Sequence, residues 1–288
     1  MAMPSVTMGD NNPISLPYQH ILPILSHRHQ GFLHMFRHTG QKRNYKHNLR
    51  LATLLCLTAG LVNVGGLLAF NVFTTNVTGH AALLADALSL GQLVTVWHIL
   101  AWLFLFLAGA FFSGICIRQA GVDRIYSYVV PLIVEITILL VVGFLTPGGS
   151  VGIEYLAGTL LFAMGLQNAL VSAISGSVVR TTHLTGMFTD LGIDMAEMAS
   201  DRSKGKASLK KRITLRLVII LSFILGGVIG GFIFLKIGSG TFYIAAAILA
   251  FAMFYDIFRV HARRLIHRIV LANTYPRRRR KRHRIEKI

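Results

Sequence analysis

Apolar residues in this chain come in long runs, and polar breaks divide those runs at two matched places. The first run covers 51–73, with Gly60, Gly65 and Gly66 inside it, and stops at Thr74-Thr75-Asn76-Val77-Thr78-Gly79. A short amphipathic piece follows over 80–92, with Asp86 in its middle. Apolar runs then cover 96–117, with Trp97 and Trp102 near one end, and 127–145, which carries Glu135. Thr146-Pro147-Gly148-Gly149-Ser150 reads as a turn. The order then returns. A run over 155–175 meets a break ending in Thr181-Thr182-His183-Leu184-Thr185-Gly186, and a short piece over 187–199 carries Asp190, Asp194 and Glu197. A basic loop from Asp201 to Arg212 leads to runs over 214–235 and 241–258. Several runs approach or exceed the ~20 residues that cross hydrocarbon. The expected fold is an all-α, polytopic helical membrane protein with broken or re-entrant segments.

The two Thr-Thr-x-x-Thr-Gly motifs lie 107 residues apart, and Gly60-Leu61-Val62-Asn63 lies 105 before Gly165-Leu166-Gln167-Asn168. Two ordered motifs within matching apolar runs predict a duplication, with one membrane repeat over 49–146 and a second over 153–260. The short pieces decide the parity. If they do not cross, each repeat has three spans and the second repeat is inverted. If they cross, the repeats have four spans each and are parallel. Six spans put Arg118, Arg124 and the basic 180–212 segment on one side with both termini, whereas eight export Arg118, Arg124 and Arg180. The positive-inside rule favours two inverted three-helix repeats with both termini cytoplasmic.

Composition narrows the class further. Only 14% of the 288 residues are charged and 53% are hydrophobic, with mean hydropathy +0.60; soluble domains carry about 25% charge. The formal charge of +18 is concentrated in a basic polar arm over 1–48 and a basic tail over 261–288. In a membrane protein this predicts contact with anionic lipid headgroups, in preference to nucleic acid. His27, His29, His34 and His38 fall in the arm, but no carboxylate or cysteine completes a metal site there. Cys56 and Cys116 both lie in apolar runs and imply no disulfide framework. The first run begins near Leu49, too late for an ordinary secretory signal, and reads as a retained anchor. There is no HExxH, P-loop or nucleophile elbow, so neither an enzyme nor a cofactor is expected.

The breaks hold the candidate chemistry. Unwound peptide groups within a membrane need protein partners, and the same groups can bind a small polar solute. Asn63, Asn76, Thr78, Gly79, Asn168, His183, Thr185 and Gly186 are the candidate solute contacts. Thr78 and Thr185 are placed to cap the short helices, whose positive ends suit an anionic group. Asp86 and Asp190 are the candidates for ion or proton coupling, because carboxylates in membrane segments face the interior, pair, or lie at an interface. Asp190 and Asp194, four apart, share a helical face; an interface role near the basic loop suits Asp194. Glu135 is central in its run with no evident local partner. The function these features suggest is secondary transport of a small polar or anionic solute. The alternative is a non-catalytic membrane scaffold whose breaks only satisfy kinked backbone.

Gly60 to Asn63, Phe73 to Gly79, Met164-Gly165-Leu166-Gln167-Asn168 and Thr181 to Gly186 resemble the YoaK-like family, also called DUF1275 or UPF0700, across roughly 50–260. The resemblance implies a bacterial inner-membrane protein of about six spans with no established general activity. Members of that family often carry Asp where this chain has Asn63, and Asn where it has His80.

Overall fold

The computed structural model describes residues 45–121, 126–149, 151–175, 177, 179–200 and 205–274. Most of the basic arm, Arg124, residues 201–204 and the tail beyond 274 lie outside the described residues, as do the side chains of Asp256 and of 259–274. The described residues form helices and no strand. In order they are α1 (Tyr45–Phe70), α2 (Val77–Ser89), α3 (Leu93–Ala120), α4 (Tyr126–Leu145), α5 (Ile153–Ser175), α6 (Leu184–Ala199), α7 (Lys206–Ile237) and α8 (Gly240–Thr274).

Five helices contain stretches long and apolar enough to cross a membrane: Ala52–Phe70, Leu93–Ala120, Ser127–Leu145, Ile153–Ser175 and Lys206–Ile237. The apolar part of α8, Gly240–Tyr255, is shorter. α2 and α6, at 13 and 16 residues, are too short for an ordinary span. The architecture is that of a multi-pass helical membrane protein.

All-round apolarity has two different causes here. α5 is enclosed by protein: Leu156, Leu160, Leu161, Ala163, Met164, Leu166 and Leu170 are buried as it packs on α1, α3 and α4. α3 instead leaves Val94, Phe104, Leu107 and Phe111 exposed, the surface a lipid-facing helix needs.

The closest helix pairs are α1 with α7 and α3 with α5, and glycine makes both possible. A Cβ on Gly60 would collide with the Phe223 carbonyl, and one on Gly226 with the Leu57 carbonyl. In the other pair, Gly109 lies against the Phe162 carbonyl and Gly165 against the Phe106 carbonyl. Backbones therefore touch directly, as small residues permit in membrane helix packing.

These contacts also fix helix directions. Leu57 meets Gly226 and Leu61 meets Gly230, so α1 and α7 run the same way. Trp102 lies near Gly158 and Gly109 near Phe162 and Leu166, so α3 and α5 do too. At one end of the bundle Phe70, at the close of α1, stacks on Phe242 near the start of α8 with centroids 6.2 Å apart. There the Ser239 hydroxyl also donates to the Gly143 carbonyl of α4 at 3.2 Å. The C-terminal ends of α1 and α4 thus share one end of the bundle with the N-terminal end of α8.

Several boundaries differ from the sequence expectation. The Asp201 to Arg212 segment is not all loop, because α7 begins at Lys206. Lys and Arg are good helix formers, and the arginines on this first stretch find acidic partners on α6. α1 begins at Tyr45, within the expected arm, and α8 continues to Thr274, into the expected tail. Thr78 and Thr185 are not caps. α2 and α6 begin earlier, at Val77 and Leu184, so each Thr-Gly falls inside a first turn.

Candidate solute-binding site

α1 stops at Asn71, which takes φ 57° and sends its N–H to the Leu67 carbonyl at 2.9 Å. α5 stops in the same manner: Ser177 takes φ 64° and its N–H reaches the Ser172 carbonyl at 2.7 Å. Left-handed closures of this kind end a helix by satisfying its last carbonyls. Each closure leads into a short extended segment and then a short helix.

In the first break, Asn63 ties α1 to the segment that leaves it. Its Oδ1 accepts the Thr75 N–H at 3.1 Å and the Thr75 hydroxyl at 2.9 Å. Thr74 is fully buried beside Gly66, where a side chain would displace its methyl group. Asn76 caps α2, its Oδ1 accepting the Gly79 N–H at 3.0 Å. A Cβ on Gly79 would run into that Asn76 side chain, so the cap requires glycine there. Thr78 is exposed on the first turn.

His80 closes the break from below. Its Nε2–H donates to the Phe73 carbonyl at 2.7 Å, and its buried Nδ1 has no hydrogen-bond partner among the described residues. Its ring meets Trp102 edge-on at 5.6 Å, and the Trp102 indole N–H donates to the Glu154 carbonyl at 2.9 Å. Burial pushes the His80 pKa down, and the hydrogen bond to Phe73 opposes this only in part. The folded state then binds a proton less readily than the unfolded chain. Stability contributed by neutral His80 is complete above about pH 6.5 and declines as pH falls below that value, until the lower folded pKa is passed. The thermal midpoint of the wild type is expected to drop more than that of His80→Gln between pH 7.5 and about pH 5.5. Parallel midpoints across that range would contradict this.

The cleft at the first break holds about 450 Å³ and is lined by Asn71, His80, Asp86, Gln92, His98 and Glu154 among others. Asp86 is exposed within it.

The second break is built alike but charged differently. Ser175 Oγ accepts the Val179 N–H at 2.9 Å and so bridges the end of α5 to the segment beyond. Thr181 is fully buried, its hydroxyl 3.5 Å from Asn168 Oδ1, a longer and weaker version of the Asn63 contact. His183 stands at the N-cap of α6 without a side-chain capping bond, which leaves first-turn N–H groups open. Gly186 permits this, because a Cβ there would strike the His183 ring. Thr185 is exposed on the first turn.

This second cleft holds about 470 Å³, lined by Ser177, Arg180, His183, Gly186, Asp190, Arg212 and Arg216 together with apolar Met187 and Leu215. The acidic face of α6 meets the basic start of α7. Asp194, buried, pairs with Arg212 at 2.9 Å and with Arg216. Asp190 pairs with Arg216 at 3.3 Å, and Glu197 with Arg212 at 2.8 Å. Asp194 thus pairs with the basic stretch it was expected to lie near. Asp190 both pairs with α7 and lines the cleft.

The expected contacts therefore divide. His183 and Gly186 line the second cleft. Asn63 and Asn168 face break threonines, and Asn76 and Gly79 form a cap. Arg180, Arg212 and Arg216 line the second cleft although none was among the candidate contacts. Their signal was legible: Arg212 and Arg216 are four apart, matching Asp190, Asp194 and Glu197 at helical spacing. Among the described residues, no group of three or more His, Cys, Asp and Glu side chains is arranged to hold a metal.

The model of the family described as "Protein of unknown function (DUF1275)" matches residues 51–255, which include both breaks and both clefts. The chain belongs to the DUF1275 family. A relative, "UPF0700 transmembrane protein YoaK" of Bacillus subtilis (strain 168), is 31% identical over 163 residues, covering 56% of this chain and 72% of that protein. No solved structure matches. In this DUF1275 chain, the matched region ends within α8, before the basic stretch of the tail.

Proposed function

We propose that this DUF1275 protein is a secondary carrier of a small anionic solute in the bacterial inner membrane. The observation that carries the reading is the second cleft. Arg180, Arg212, Arg216 and His183 gather around the open N-terminus of α6, with Asp190 as the lining carboxylate. Oriented first-turn N–H groups and guanidinium forks are the chemistry that holds carboxylate, phosphate or sulfate.

The arrangement of the breaks supports transport over scaffolding. The first cleft lies where α1 ends, and the second where α7 begins; α1 and α7 run the same way. The clefts therefore open toward opposite ends of that helix pair. An inverted pair of three-span repeats, with α8 as the sixth crossing, accounts for this and for the shared end of α1, α4 and α8. Rocking one repeat against the other would expose each cleft in turn. Arg118, Arg180, Lys206, Lys210 and Lys211 fall toward the second cleft, and Lys236 toward the first. Under the positive-inside rule the second cleft is cytoplasmic, with both termini on that side and the basic arm and tail against anionic lipid.

Uptake into proteoliposomes of radiolabelled phosphate, sulfate, acetate and glutamate tests the function. At least one is expected to enter faster than in protein-free vesicles. Arg180→Gln should raise its half-saturation concentration about tenfold, the loss expected for one charge-assisted hydrogen bond. No uptake of any of the four would overturn the anion reading and favour the scaffold.

A further inference from the structure

Helices α3, α4 and α5 pack on one another, and each buries one polar side chain that finds no hydrogen-bond partner among the described residues. These are Ser113, Glu135 and Gln167, each fully buried. Among the described residues, the Ser113 hydroxyl, both Glu135 carboxyl oxygens and both Gln167 amide atoms lack a hydrogen-bond partner. Buried polar groups are ordinarily satisfied, so three such groups on three adjoining helices call for an explanation.

They also share a level. Gly109 of α3 lies against Phe162 and Leu166 of α5, so Ser113, one turn on, reaches the level of Gln167. α3 ends at Ala120 and α4 begins at Tyr126 after a short connection. At 1.5 Å per residue, Ser113 stands about 10 Å from the end of its helix, and Glu135 about 13 Å from the start of its own. By this reckoning the three residues stand at similar depth along their helices. Glu135 has Leu132 and Leu139, both fully buried, one turn to either side.

α4 carries a second feature at this place. Pro131 lies inside the helix one turn before Glu135 and supplies no N–H to the Ser127 carbonyl. Helices kink most readily at such points. An ionised carboxylate at this depth has no countercharge among the described residues, so its charge must be cancelled by a cation or the site must open to water.

The titratable groups on helices packed against α4 stand elsewhere or stay unpaired with it. His98 and Glu154 line the first cleft, and Arg118 lies in the last turn of α3. Tyr243 abuts Gly143 near the end of α4, and Cys116 is half-buried one turn from Ser113. Among the described residues no ion pair or hydrogen bond joins any of these to Glu135. On α8 the side chains of Asp256, Arg259, His261, Arg263, Arg264, His267 and Arg268 lie outside the described ones.

We propose that Glu135 is the proton-binding residue of the transport cycle, with Ser113 and Gln167 as the groups that receive its carboxylate when the site opens. The proposal rests on the carrier reading and moves the coupling role from Asp86 and Asp190. Asp86 is exposed in its cleft and Asp190 is already held by Arg216, so neither must take a proton in order to be buried. Glu135 must be neutral when the site closes and is free to lose its proton to water when the site opens. The surface carboxylates set the field at the cleft mouths instead.

Two measurements test this on the full-length protein. The first is uptake of the same four anions into proteoliposomes, with and without an inside-alkaline pH gradient. The gradient is expected to raise wild-type uptake several-fold and to change uptake by Glu135→Gln hardly at all, with Glu135→Asp keeping part of the response. A sodium gradient should not replace the pH gradient. An unchanged pH response in Glu135→Gln, or stimulation by sodium alone, overturns the proposal. The second measurement needs no transport. Dicyclohexylcarbodiimide, which reaches protonated carboxyls from lipid, is expected to modify Glu135, with labelling read by mass spectrometry that falls as pH rises. Absent or pH-independent labelling overturns proton binding at Glu135. If wild-type vesicles move no anion while Glu135 labels with the expected pH dependence, the carrier reading fails and the proton site stands.

Discussion

Gly165→Leu is expected to prevent the bundle from closing and to cost ~3 kcal/mol or more. Overpacking an interior usually costs about 1–3 kcal/mol when neighbouring side chains can shift. Here the obstacle is the backbone carbonyl of Phe106, and it cannot shift without moving α3. Gly109 makes the reciprocal approach to Phe162, so the two helices are held together from both sides. Poor yield of monodisperse protein and a lowered thermal midpoint in detergent would register the effect, with Gly165→Ala milder in the same direction. A wild-type midpoint for Gly165→Leu would contradict the close α3–α5 contact. α1 and α7 are joined the same way through Gly60 and Gly226, so Gly226→Leu should behave alike.

Asp194→Asn carries the second large effect, a loss of about 2–3 kcal/mol. Breaking a buried pair by removing one partner typically costs 3–5 kcal/mol, because the other charge is left uncompensated. The figure is lowered because the Arg212 side chain is 50% exposed and keeps Glu197, while Arg216, 20% exposed, keeps Asp190. Glu197→Gln, removing a carboxylate 47% exposed on the same face, should cost under about 1 kcal/mol. Thermal melts of the three proteins check the order. Equal midpoints for Asp194→Asn and Glu197→Gln would show that the buried position of Asp194 confers nothing.

Much of this arrangement is legible in the chain. Long apolar runs give the helices, and two motifs in the same order give the matched breaks. Gly226, Gly227, Gly230 and Gly231 announce a small face on α7, and that face meets α1. The sequence cannot say whether an apolar helix faces lipid or protein. α3 and α5 read alike, yet α5 is enclosed and α3 is largely exposed. Nor can it locate a cap to the residue: Asn76 and Thr78 are both good capping types, and only the observed start of α2 at Val77 decides between them. By charge, Asp201 to Arg212 looks like a loop, yet α7 begins at Lys206, and Arg212, with Arg216 one turn on, lies at the spacing that answers the acids of α6. Partners distant in sequence made that stretch a helix.

The position of the charges also explains why the two clefts differ despite like construction. Each follows a left-handed closure, at Asn71 or Ser177, and each opens beside a short helix. In the first, α2 is capped by Asn76 and the lining mixes His80 and His98 with Asp86 and Glu154. In the second, α6 has no side-chain cap and three arginines line the cleft. The first turn of α6 and the guanidinium of Arg180 thus give the second cleft a more positive edge than the first, although Arg212 and Arg216 also answer the acids of α6.

Sidedness of the two breaks is the observation on which the carrier reading stands or falls. Single cysteines at Asn71 and Ser177, in a Cys56→Ala, Cys116→Ala background, can be labelled with an impermeant maleimide in sealed right-side-out vesicles. Asn71→Cys is expected to label from outside, and Ser177→Cys only after permeabilisation. Labelling of both from the same face would contradict clefts on opposite membrane sides and, with them, alternating access.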